Sequence, residues 1–120
     1  DTYARIDIAL DPFPYTGGTT TAESLWMGVP VVTLKGDRFI AHQGESLLHA
    51  AGLSEMIAAD KEAYVQLALN FAADRPALAA MRAGLRARVA ASALFDAPRY
   101  ARALETAWHG MWAEWCARQR

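Results

Sequence analysis

The sequence is short of the features that would tie it to several large classes of protein. Its 120 residues hold one cysteine, Cys116, which excludes an internal disulfide and suits a reducing, cytoplasmic compartment. No apolar run nears the roughly 18 to 20 residues that cross a bilayer, and no signal-peptide pattern is present. Charge of one sign is also missing. Against 12 basic residues stand 13 acidic ones, a net charge of −1, so no global field draws the chain to nucleic acid or to a membrane. There is no D-x-D and no paired His or Cys at metal-ligand spacing, so no metal is expected. His42, His49 and His109 are scattered, which assigns each an ordinary structural or surface role. The opening Asp1-Thr2-Tyr3-Ala4-Arg5 has no initiator Met and no flexible leader, so a fragment of a longer chain is expected.

What is present is an ordinary globular composition, 53% hydrophobic and 21% charged, at a length that supports one domain with a core. Ile6 to Leu10 is a short strand candidate, weakened by Asp7. A loop to about Thr19 precedes a helix from about Thr20 to Met27, which Gly28 ends as a C′ glycine. Pro30 to Leu34 is the clearest strand, β-branched and continuous, with proline at its first position. Strand, helix and strand with short joints predict a βαβ unit and parallel pairing. A charged loop follows, then a helix from about Gln43 to Ala51 closed by Gly52, and a third short strand at Met56 to Ala58.

From Asp60 onward the pattern is helical, which divides the single fragment into a βαβ part, residues 1–59, and a helical part, residues 60–120. Asp60, Asp74 and Asp96 stand at N-cap positions, and Pro76 and Pro98 fall two residues past their caps. Tyr100, Leu104, Trp108, Met111 and Trp115 form one apolar stripe on the last helix, with Trp112 beside it. Such a stripe belongs to a core or an interface, and its aromatic weight suggests packing on something large, such as a neighbouring domain.

Ligands of parallel α/β sheets bind beyond the carboxyl ends of the strands. Here those ends are Leu10 and Leu34, so the loops 11–19 and 35–42 share one edge. Gly17 and Gly18 let the backbone approach a ligand closely, and Thr19, Thr20 and Thr21 supply hydroxyls and the first free amides of a helix. No P-loop lysine follows and the spacing is not G-x-G-x-x-G. Spacing alone leaves two readings open. Thr20-Thr21-Ala22-Glu23 also fits a capping box, with Thr20 as cap and Glu23 reaching back, in which nothing is bound.

The stretch "LDPFPYTGGTTTAESLWMGVPVVTLKGDRF", then "GESLLHAAGLSEMIA" and "ASALFDAPRYARALETAWHGMW", resembles the C-terminal part of O-GlcNAc transferases and their SPINDLY-like and bacterial relatives. The resemblance implies the second half of the C-terminal, partial Rossmann-like α/β domain of a GT-B glycosyltransferase, with C-terminal helices. Such enzymes are inverting, need no metal or other cofactor, and move a sugar from a nucleotide donor such as UDP-GlcNAc to Ser or Thr of a protein acceptor. The resemblance implies that Gly17, Gly18, Thr19 and Thr20 hold the diphosphate, that Glu23 bonds the ribose, and that Tyr15 lies near the donor sugar. Some relatives carry His where this chain has Gly18, and others Asp where it has Glu23. The catalytic base, base-reading segment and TPR repeats of the family lie in upstream domains, so the fragment alone is expected to be inactive. Lys35 and Arg38 stand where they would add positive potential. A sugar-nucleotide epimerase, and a protein-interaction module working through the last helix, are the rival readings.

Overall fold

Three short apolar runs make the central sheet of the computed structural model, which describes residues 2–119. They are β1 (Ala9–Leu10), β2 (Val31–Leu34) and β3 (Ile57–Ala58). The strands are all parallel in the order β1-β2-β3, with Ala9 opposite Val31 and Thr33 opposite Ile57. The middle strand is buried through Val31, Val32 and Thr33, as a continuous β-branched run at the centre of a parallel sheet should be. The strand expected from Ile6 is shorter than its sequence suggests. Tyr3–Arg5 coil into a 3-10 turn, and Asp7 faces out to meet the Arg82 guanidinium at 2.5 Å, so a charged side chain stays outside the ladder.

Among the described residues five α-helices accompany the sheet: α1 (Thr19–Trp26), α2 (Gln43–Ala50), α3 (Lys61–Ala73), α4 (Arg75–Ala90) and α5 (Ala97–Arg118). Gly28 and Gly52 end α1 and α2 with φ of 76° and 71°, the left-handed C′ conformation expected of them. Asp60, Asp74 and Asp96 cap α3, α4 and α5, each accepting the amide three residues on at 2.8 to 3.0 Å. The α3 helix packs on β2 and β3, and α4 packs on α1 and α3. The core gathers Leu25, Val31, Leu48, Leu53, Met56, Leu85 and Val89 from α1, β2, α2, the segment after α2 and α4. The parallel βαβ pairing is what the alternation of elements predicts, and the whole is the partial Rossmann-like α/β arrangement that the family resemblance implies. Among the described residues no helix is long and apolar enough to cross a membrane.

The last helix behaves differently. With 22 residues, α5 runs roughly 33 Å, and its main packing partner is the short turn at Ala93–Phe95. The molecule therefore measures 64 × 29 × 23 Å. Of the apolar stripe, Leu104 is half-buried, whereas Tyr100, Trp108, Met111, Trp112 and Trp115 are all exposed. The Trp112 and Trp115 rings stack on each other at 5.2 Å.

Candidate functional site

The carboxyl ends of β1 and β2 feed the two loops that carry the site, and the first residue after β1 organises both. Asp11 is 4% exposed. Its Oδ1 accepts the Gly17 amide at 2.6 Å, and its Oδ2 accepts the Thr33 hydroxyl at 2.6 Å. The Tyr64 hydroxyl, reaching over from α3, donates to the Asp11 carbonyl at 2.9 Å. Burial pushes the Asp11 carboxyl above the usual carboxylate range, while the bonds from Thr33 and Gly17 pull it back. Burial and the nearby Asp11 charge likewise push the Tyr64 phenol up.

Thr16, fully buried, ties the two loops together. Its hydroxyl donates to the Ile40 carbonyl at 3.2 Å and accepts the Gly44 amide at 3.1 Å. Gly44 has to be glycine at this point, because a Cβ there would run into Asp11 Oδ2 and Thr33 Oγ1. Sequence reasoning missed Asp11, Thr16, Thr33, Gly44 and Tyr64. The one signal available was a carboxylate directly after an apolar run and six residues before a Gly-Gly pair.

The turn held in this way presents the start of α1. Gly18 is the N-cap and provides no side-chain cap, and the first intrahelical bond runs from the Ala22 amide to the Gly18 carbonyl at 3.1 Å. Among the described residues the amides of Thr19, Thr20 and Thr21 are left without partners, as the first turn of an uncapped helix leaves them. The capping box does not form. The helix starts two residues earlier than the box requires, with Gly18 rather than Thr20 at the cap, so Thr20 lies inside it and Glu23 falls beyond the N3 position that reaches back. Instead the Thr20 carbonyl accepts the Ser24 hydroxyl at 2.7 Å, and Glu23 Oε2 accepts the Tyr3 hydroxyl at 3.0 Å. That hydrogen bond is the main reason the Tyr3 phenol lies above its ordinary value.

The first half of α1 separates two cavities. One, of about 540 Å³, is walled by Gly18, Thr19 and Ala22 on α1 and by His42, Gln43 and Ser46 across from it. The other, of about 550 Å³, lies on the far side, where Thr19 and Glu23 meet Tyr3, Trp26, Met27 and Phe95. Thr20 faces a smaller cavity of about 210 Å³ beside Asp11. The expected residues Gly18, Thr19, Thr20 and Glu23 are thus brought together at one helix end, and Gly17 supports them through Asp11. Tyr15 stands apart on the loop, 61% exposed and outside these three cavities.

The second loop is not the open positive patch that Lys35 and Arg38 suggested. Lys35 Nζ lies 3.4 Å from Glu45 Oε1, and Arg38 meets Asp37 at 3.9 Å with both side chains exposed. Glu45 is a hub, its side chain only 12% exposed: His42 Nδ1 lies 2.7 Å from its Oε2, and His49 Nε2 lies 3.7 Å from its Oε1. The His42 bond, with the Lys35 charge adding to it, holds the Glu45 carboxyl below the usual range. His42, expected to have an ordinary structural or surface role, is a wall of the first cavity.

The family model of glycosyl transferase family 41 matches residues 4–104. The chain is 46% identical over 114 residues to a probable UDP-N-acetylglucosamine–peptide N-acetylglucosaminyltransferase SPINDLY of Oryza sativa subsp. japonica, covering 95% of this chain and 12% of that protein. It is 33% identical over 106 residues to a UDP-N-acetylglucosamine–peptide N-acetylglucosaminyltransferase of Caenorhabditis elegans, covering 88% of this chain and 9% of that one. A solved mutant of the Thermobaculum terrenum O-GlcNAc transferase superposes with a TM-score of 0.91 at 40% identity, over 99% of this chain and 23% of that chain. The chain thus spans about an eighth of the length of the curated relatives it matches most fully.

Proposed function

We propose a function for this chain, which belongs to glycosyl transferase family 41: it forms the part of a glycosyltransferase that holds the diphosphate of a nucleotide-sugar donor. The observation that carries this reading is the uncapped start of α1. Three adjacent amides and the positive end of a helix dipole meet there, and Gly18 and Thr19 wall an open cavity on the carboxyl edge of a parallel sheet. The relatives are named for transfer of N-acetylglucosamine from UDP to peptides, which supports a UDP-sugar donor and a peptide acceptor; the acceptor group on this reading is a Ser or Thr hydroxyl.

The chemistry follows from charge. In an inverting, metal-independent transfer the diphosphate leaves carrying negative charge, and fixed donors must stabilise it as the bond to the sugar breaks. The amides of Thr19, Thr20 and Thr21 are suited to this, because the Asp11–Gly17 and Thr16–Gly44 bonds have already fixed the turn before a ligand arrives. Glu23, whose Oε1 is not the atom that accepts the Tyr3 hydroxyl, is the group for the ribose hydroxyls. Tyr15 lies near the donor sugar. The catalytic base and the base-reading and acceptor-binding groups belong to upstream domains of the same cytoplasmic polypeptide, on which the exposed aromatic face of α5 packs.

Titration of the intact protein with UDP-GlcNAc, UDP-glucose and GDP-fucose, read as melting temperature, tests the reading and identifies the donor. Thr20→Val and Glu23→Gln should each weaken nucleotide affinity. If both leave UDP and GDP affinity unchanged, the donor site lies elsewhere.

A further inference from the structure

We infer that His42 is a further donor-binding residue of this site, gripping a phosphate oxygen of the nucleotide sugar through Nε2 when its imidazole is protonated. This rests on the reading that the start of α1 receives the diphosphate. His42 lines the same cavity as Gly18 and Thr19, from the opposite wall. Its position is fixed on both sides: the Ile40 carbonyl and the Gly44 amide both bond the Thr16 hydroxyl, one residue before Gly17. The adjoining Gln43 Oε1 lies 3.0 Å from where a Cβ on Gly18 would sit. The segment carrying His42 and the turn carrying the amides are therefore one rigid piece.

The ring is also oriented. His42 Nδ1 lies 2.7 Å from Glu45 Oε2, and a carboxylate only accepts, so Nδ1 carries a proton. Glu45 is kept ionised by Lys35 as well, at 3.4 Å. With Nδ1 committed, the remaining nitrogen decides what an anion meets. Neutral His42 offers a bare lone pair at Nε2, which repels a phosphate oxygen. The imidazolium offers an N–H and a positive charge. The α1 wall contributes Gly18, Thr19 and Ala22, none of which titrates, and Arg38 and Asp37 on the loop pair with each other. Donor affinity should therefore be higher in acid, where the ring is protonated, than in alkali. A purely structural His42–Glu45 pair would move the melting temperature and leave that slope alone.

The test is calorimetric titration of the intact protein with UDP-GlcNAc and with GDP-fucose, whose pyrophosphate diesters stay fully ionised across the interval. For the donor that binds, wild-type affinity should fall about fivefold or more between about pH 5 and pH 8. His42→Asn should lose most of that slope and bind at the acid end as weakly as the wild type does at the alkaline end. His42→Lys should restore tight binding with little slope, which separates charge from fold. A His42→Asn protein that keeps both the wild-type affinity and its slope overturns the inference and leaves the donor site standing. Failure of the wild type to bind either nucleotide sugar at any pH overturns the donor site and this inference with it.

Discussion

At the scale of single residues, Asp11 is the group on which the turn depends. Asp11→Ala would leave the Gly17 amide and the Thr33 hydroxyl without their acceptor inside the protein, at a cost of about 3 kcal/mol by chemical denaturation. Asp11→Asn keeps an acceptor for Gly17 and should cost less. Its pH dependence is the sharper readout. Because burial raises the folded pKa of Asp11 above its unfolded value, the native state holds that proton more tightly. Stability from this group therefore falls as pH climbs from the ordinary carboxylate range through the raised value, and the Asn variant should lack that fall. None of this was legible in the sequence, because the partners that give Asp11 its role, Thr33 and Tyr64, lie 22 and 53 residues away. Gly18, Thr19 and Thr20 stood out as a possible anion turn from their pattern at a helix start, whereas a ribose role for Glu23 came only from the family resemblance. Spacing alone favoured a capping box, which a two-residue shift of the helix start removes.

Among the elements, what is local could be read and what is tertiary could not. The three aspartate caps and the two C′ glycines depend on residues within one turn, and each stands where its pattern places it. The length of β1 depends instead on Asp7 meeting Arg82, 75 residues on. Helical glycines separate the same two influences by sign. Gly84 in α4 and Gly110 in α5 have open space where a Cβ would go, so alanine at either should stabilise by about 0.5 to 1 kcal/mol through propensity. Gly44 in α2 has the same propensity argument, yet its Cβ would strike Asp11 and Thr33. Gly44→Ala should destabilise by about 2 kcal/mol, and melting curves of the three variants check both signs.

For the whole molecule, the notable feature is a helix that leaves the body. Trp108, Trp112 and Trp115 are 58%, 64% and 53% exposed, an apolar surface that a packed domain seldom leaves open. Its periodicity marked a stripe suited to a core or an interface, and among the described residues no element covers it. If that face packs on upstream domains, acrylamide should quench these tryptophans readily in this chain alone and poorly in the longer polypeptide. The central claim, that the first amides of α1 hold a diphosphate, is tested most directly by removing one of them. Thr19 occupies N1, where proline replaces the residue at little cost to the helix while deleting its N–H. Nucleotide-sugar affinity of the intact protein should fall about tenfold further in Thr19→Pro than in Thr19→Val, at matched melting temperatures. Equal affinities for the two variants would contradict the account.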